Sequence, residues 1–267
     1  MYHGVLMHPL DSARERLKRA NENIRNLNSE VNVFLDPFPR ISWKGDNSVF
    51  TDADQHAFNV LRENALKNNT LPRFSVLAGE IVHHLRCAFD HIIWQLSTLE
   101  ARARFATDIE FPVCDSRPKV CKWAPDKVKH SRYCGKVKGV ASITALTRID
   151  GLQPYNRTDP HNSPLLLIHN LDRFAKHREL NVVIVNIGMS LQGRGLQGFR
   201  AVKDSATGGF QILGPAGPPQ MEMYGELSAQ IMFAEFSERK GDPLIKFLND
   251  LARFTSDSIE AFAVEFP

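Results

Sequence analysis

The sequence predicts an α+β protein: a helical bundle with an adjoining antiparallel β-sheet, built as a single domain over residues 1–267. Three observations predict it. Apolar residues recur at helical spacing through much of residues 11–180 and again at 243–262. After Asn181 the pattern changes to short β-branched runs broken by glycine, and eight of the 16 glycines lie between Gly188 and Pro219. The composition, 43% hydrophobic and 24% charged, is that of an ordinary globular chain. Helices followed by a run of strands give the α+β class.

The elements follow in order. Asp11 is a plausible N-cap for a helix reaching about Val33, with Leu17, Ile24, Leu27 and Val31 as its thin apolar stripe. Pro37 and Pro39 end it. Ile41 to Lys44 and Ala57 to Arg62 partly alternate apolar and polar residues and read as strands that join the later sheet. Asn68-Asn69 and Pro72 mark a turn. The strongest helix covers Phe74 to Leu99. Another runs from Val137 to Ile149 and is stopped by Gly151 and Pro154. Ser163-Pro164, an N-cap followed by an N1 proline, opens a helix from Leu165 to Glu179. Val182 to Ile187 and Gln230 to Phe236 are strands, with hairpins of short strands between them. Asp242-Pro243 caps a final helix to about Phe262, whose apolar face holds Leu244, Leu248, Leu251, Ile259 and Phe262.

Several function classes are excluded or bounded at once. The longest unbroken aliphatic runs, Leu165 to Ile168 and Val182 to Val185, are four residues long, against about 20 for a membrane span. Met1 to Leu10 does not read as a signal peptide, and four cysteines do not make a disulfide scaffold, so a cytoplasmic location is expected. Charge is unevenly spread. Arg117 to Lys138 holds eight basic residues and one acid, Asp126, within a chain of net charge +3. Such a segment is a solvated loop or a contact for RNA or another polyanion, with Trp123 and Tyr133 available for stacking.

On a helical wheel with Glu80 at zero, Val82, Leu85, Phe89, Ile92, Ile93 and Leu96 fall between about 120° and 240° and form the core face. Glu80, His84, Cys87, His91 and Trp94 lie opposite, and His83, Arg86 and Asp90 form a flank. Along the following helix, Leu167, Leu171, Phe174 and Ala175 face the core, while His169, Asp172 and Lys176 share the polar side. Arg178 lands among the apolar positions, so either the helix stops near His177 or Arg178 enters the interior. A buried arginine needs an acid, and Asp90 is the expected partner.

Leu85-Arg86-Cys87-Ala88-Phe89-Asp90-His91 resembles the L-R-x-A-L-D-H signature of a family of bacterial proteins to which no reaction is assigned. That family also carries F-P-[IV], L-Q-P-Y and K-H-R steps. Here these are Phe111-Pro112-Val113, Leu152-Gln153-Pro154-Tyr155 and Lys176-His177-Arg178, in the same order. Phe89 and Ala175 depart from the pattern without touching an ionisable position. The resemblance implies a site where Arg86, Asp90 and His91 meet Lys176, His177 and Arg178, near Gln153 and Tyr155, and it leaves a catalytic and a structural role open. Arg86 and His91 also resemble the R-x4-6-H pattern of HEPN domains, which implies a metal-independent ribonuclease. In that reading His91 moves the proton and Arg86 stabilises the phosphorane. Residues five apart point about 140° away from one another on a helix, so this reading needs a composite site in a homodimer or a distorted helix.

Two alternatives stand beside the ribonuclease. A non-catalytic module would bind nucleic acid or an acidic partner through residues 117–138. A bundle metal site would use Glu80, His84 and His91, completed by His169 or Asp172. Cys114, Cys121 and Cys134 with His130 lack zinc-site spacing. Gly193-Arg194-Gly195-Leu196-Gln197-Gly198 matches G-x-G-x-x-G but lacks the strand before and the helix after that a dinucleotide site needs, so hairpin turns explain it. No cofactor motif, P-loop or G-x-S-x-G is present.

Overall fold

The computed structural model describes residues 8–37, 41–44, 56, 59–60, 63–64, 67, 70–116, 132–137, 139–178, 180, 182–186, 190–192, 200–203, 210–213, 224–227, 229–233 and 242–266. Helices dominate, and antiparallel strands accompany them, so the α+β class holds. The chain forms two compact units. The first comprises residues 1–33, 69–183 and 232–267; the second comprises 34–68 and 184–231.

The first unit is helical. Helix α1 (Asp11–Leu35) buries Ile24, Leu27 and Val31. Helix α2 (Thr70–Leu96) starts four residues before Phe74. Pro72 therefore lies in the first turn of α2 rather than in a preceding turn. There the backbone N–H has no intrahelical acceptor to lose. Val82, Leu85, Phe89, Ile92 and Ile93 are all fully buried, as the wheel predicts. Arg73 pairs with Glu30 through two contacts of 2.7 Å, and Arg16 Nη1 lies 3.5 Å from His84 Nδ1. These two contacts run α1 antiparallel to α2.

Helix α3 (Leu99–Phe105) is capped by the Thr98 hydroxyl, which accepts from the Ala101 N–H. The helix expected from Val137 to Ile149 is in fact two, α4 (Arg132–Val137) and α5 (Ile143–Gly151). Val140 makes a β-bridge with Ser97 between them, and Ser142 caps α5 by accepting from the Ala145 N–H. Gly139 is needed at this crossing, since a Cβ there would sit 2.6 Å from the Ala101 Cβ. A 3-10 turn, Pro154–Asn156, follows.

Helix α6 (Pro164–His177) begins at the predicted cap and proline. It ends at His177 because Arg178 takes an extended backbone, φ −160° and ψ 163°, which settles the alternative left by the wheel. Gly79 lets α2 and α6 approach closely: a Cβ there would lie 3.0 Å from that of Ala175. Helix α7 (Leu244–Ala263) buries Leu244, Leu248, Leu251, Ile259 and Phe262. Phe89, Phe111 and Phe262 form an edge-to-face chain with centroid separations of 5.0 and 6.3 Å. Each such contact adds about 0.5–1.5 kcal/mol beyond area burial, and together they seat the extended segment carrying Phe111 between α2 and α7.

In the second unit, β1 (Ile41–Lys44) pairs antiparallel with β6 (Tyr224–Leu227), which also pairs antiparallel with β3 (Ser190–Gln192). An N-terminal strand thus joins the later sheet, as expected. The strand expected at Ala57 to Arg62 is not one, because Asn59 and Val60 are helical. β4 (Arg200–Lys203) and β5 (Phe210–Leu213) form an antiparallel pair. β2 (Val182–Asn186) pairs with β7 (Ala229–Phe233), and the division between the units falls within these two strands. The G-x-G-x-x-G run at 193–198 and most of the basic segment, residues 117–131 and 138, lie outside the described residues.

Candidate functional site

The residues singled out in the sequence fall into three places. The first is a closed clamp around an extended backbone segment. Arg86 is 4% exposed. Its Nη2 donates to the Phe111 carbonyl at 2.9 Å and lies 3.1 Å from Asp90 Oδ1 and 3.8 Å from Glu110 Oε2. Asp90 Oδ1 in turn accepts the Phe111 N–H at 2.9 Å. Two residues on, the fully buried Gln153 donates to the Pro112 carbonyl and accepts the Cys114 N–H, both at 3.0 Å. The L-R-x-A-L-D-H, F-P-V and L-Q-P-Y steps thus meet one another, and their polar side chains bond the Phe111 N–H and carbonyl, the Pro112 carbonyl and the Cys114 N–H. An extended segment inside a helical unit has no ladder partner, so side chains must supply its hydrogen bonds.

The electrostatics of the clamp are mixed. Burial pushes the Asp90 carboxyl above its ordinary value, against the pull of Arg86 and the Phe111 N–H. At Glu110 burial also acts upward, but the hydrogen bond and charge of Lys136, 2.5 Å away, outweigh it and leave that carboxyl low. Arg86 Nη1 is buried with no hydrogen-bond partner. His169 on α6 feels the same cations. Burial first, then Arg86, Lys136 and Arg173, push its imidazole down to about 4, so it is neutral at pH 7.

The expected Asp90–Arg178 pair does not form, because Asp90 already holds Arg86 one turn back on its own helix. The Arg178 guanidinium instead lies 4.4 Å from the Phe174 ring centroid. His177 is exposed. Tyr155 hydrogen-bonds Asp150.

The second place is the α1-facing side of α2. His84 and His91 are each pushed below the ordinary histidine value, by burial first and then by Arg16. The Arg16 guanidinium, beside His84 and acting on both imidazoles, repels a cation there. Among the described residues, no three His, Cys, Asp or Glu side chains converge as a metal-holding group. Glu80, His84 and His91, all of them described, do not form one.

The third place was the least conspicuous in the sequence. His83 Nδ1 is 2.9 Å from Asp172 Oδ1, and Lys176 Nζ donates to Asp172 Oδ2 at 2.6 Å. On the other side of the imidazole, Nε2 lies 3.4 Å from Cys87 Sγ. Asp172 is buried, whereas the His83 side chain is 48% exposed. His83, Asp172, Lys176 and Arg178 line a cleft of about 400 Å³ between α2 and α6, walled on its apolar side by Val76 and Leu180. A carboxylate on Nδ1 fixes the tautomer with its proton there and leaves the Nε2 lone pair, which faces Cys87, as the basic one, which is how a general base is oriented.

Sequence reasoning placed His83 on the flank and Asp172 on the polar side of its helix without joining them. The i,i+4 spacings His83–Cys87 and Asp172–Lys176 were available as signals. The crossing that brings the two pairs together depends on Gly79 against Ala175, which no spacing rule announces. Among the described residues, no helix is long and apolar enough to cross a membrane. No family model, curated protein or solved structure matches this chain.

Proposed function

We propose that the helical unit is a metal-independent general acid–base enzyme acting on a phosphodiester, with RNA as its substrate class and His83 as the group that moves the proton. The observation that carries this reading is the 2.9 Å contact of His83 Nδ1 with the buried Asp172, at the mouth of the cleft. Asp172 orients the imidazole and Lys176 holds the other carboxylate oxygen, so Nε2 is the working nitrogen. The thiol of Cys87 is a weak partner for it, readily displaced by a ribose 2′-hydroxyl. Lys176, 54% exposed, and Arg178 line the same cleft as His83, and their positive charge is what a phosphate bound there would meet.

The same chemistry through Arg86 and His91 has less support. Arg86 is committed to Asp90 and the Phe111 carbonyl, and reaching a phosphate would leave that clamp open. With His83 and Asp172 supplied by one chain, a composite dimer site is not needed.

The test is cleavage of mixed RNA by the purified protein in EDTA. Cleavage should survive the chelator, fall about 10²- to 10⁴-fold in His83→Ala, the usual range for a general acid–base residue, and persist in His91→Ala. Cleavage lost in His91→Ala but kept in His83→Ala would return the site to the R-x4-H pair. Loss in EDTA would make the chemistry metal-dependent. An inert protein that still binds RNA, with a log–log salt slope of about −3 for four single-strand phosphate contacts, would make it a binding module acting through residues 117–138.

A further inference from the structure

The contact between Cys87 and His83 supports a second chemistry that does not depend on RNA cleavage. Cys87 is half-buried, its Sγ lies 3.4 Å from Nε2, and that imidazole is oriented by Asp172 through its other nitrogen. A nucleophile within reach of a base, and a base held by a third group, is the arrangement of an activated nucleophile. The half-exposed imidazole and the half-buried thiol leave the pair open to a small reactant from solvent.

We infer that Cys87 is a site of reversible thiol–disulfide exchange, with small-molecule disulfides of the glutathione type as its reactant and His83 as its base. The Cys87 sulfur attacks one sulfur of the disulfide as its proton passes to His83 Nε2. The disulfide bond breaks, a new bond joins Cys87 to one half, and the other half leaves as a thiolate that takes the proton from His83. Cys87 is oxidised to the mixed disulfide and the departing half is reduced to a thiol, so no further oxidant is required.

The surroundings make the base necessary. Burial pushes the Cys87 thiol up, with Asp90 on α2 and Asp172 on α6 acting in the same direction. Arg16 on α1 and Lys176 on α6 act against them. The resting group is thus a thiol, and its reactivity depends on giving its proton to His83 during the attack.

The experiment is to expose the folded protein to glutathione disulfide at neutral pH and quantify mixed disulfides by peptide mass spectrometry. Cys114, the other half-buried thiol among the described residues, is the internal reference. Cys87 should react at least about tenfold faster than Cys114, a conservative share of what general-base assistance supplies. The advantage should vanish when the protein is unfolded in urea, and in a folded His83→Gln variant. A native Cys87 no faster than Cys114 overturns the inference without any variant being needed. A folded His83→Gln protein that keeps the fast rate also overturns it. RNA cleavage enters none of these readouts, so the inference can fail while the ribonuclease reading stands, and the reverse.

Discussion

Helix α2 carries two polar systems, one turn apart, made from similar residue types in different surroundings. Around Arg86 the cation is turned inward: the guanidinium is 4% exposed, its nearer acid, Asp90, is on the same helix, and it donates to the Phe111 carbonyl. Around His83 the carboxylate is buried but the imidazole is half exposed and borders a cleft. A charged group whose partners are all fixed main chain or a committed counter-ion holds a fold. A titratable group that is oriented on one nitrogen and accessible on the other is equipped for chemistry. The signature residues drew attention to the first system, and the second is where a substrate has access.

The largest test of that contrast is Asp90→Ala. It leaves the buried Arg86 with the Phe111 carbonyl and Glu110 at 3.8 Å, and it orphans the Phe111 N–H. Removing one partner of a buried pair typically costs about 3–5 kcal/mol. That loss should be visible as a lowered urea midpoint with unchanged slope. The double variant Arg86→Met, Asp90→Ala should recover much of it, because the uncompensated charge goes too. A single variant that costs less than about 1 kcal/mol would mean the clamp is not what holds residues 111–114.

The second test uses pH. Burial and the neighbouring cations lower the His169 imidazole from its ordinary 6.5 to about 4. Between those values the unfolded chain binds the proton and the folded one does not, so stability is full above the unfolded value and falls as pH drops through the window. His84 and His91 are also lowered and act in the same direction. Asp90, whose carboxyl is raised, acts the other way, its contribution being lost as pH rises from its unfolded value. The difference between wild type and His169→Gln isolates one group. The variant should lose less stability than wild type between pH 7 and pH 4.5. Equal losses would show that burial and the nearby cations do not hold His169 neutral.

Much of this architecture was legible because periodicity reports burial directly. The core faces of α2 and α7, the Ser163-Pro164 start of α6, and β1 as a partner of a later strand all follow from apolar spacing and cap chemistry. The break between α4 and α5 was not legible. Its cause is the approach of Gly139 to Ala101 and the Ser97–Val140 bridge, both of them contacts between distant positions. Asn59 and Val60 show the limit of short patterns, since a few alternating residues fit a strand and a helix alike. The site divides the same way. Arg86 and Asp90 stand out through their shared flank of the wheel and the resemblance, but the ion pair they make with each other replaces the one expected between Asp90 and Arg178. Joining His83 to Asp172 needs the crossing of two helices, which an i,i+4 rule does not reach.

The smallest expected effect is the sharpest check on the open system. Lys176 bonds Asp172 from a side chain that is 54% exposed, while His83 holds the other oxygen of the same carboxylate. In Lys176→Gln, Asp172 keeps its imidazole partner, and water replaces the ammonium at a position that solvent already reaches. Because the Asp172 carboxylate is buried, the cost should exceed the about 0.5 kcal/mol of an exposed helical ion pair, yet with the imidazole partner kept it should stay below the loss expected at Asp90. Urea unfolding of the two variants in one buffer compares them directly. If Lys176→Gln proved as costly as Asp90→Ala, the His83 system would be a second closed clamp. Its imidazole would then be holding α2 to α6 rather than standing ready to move a proton.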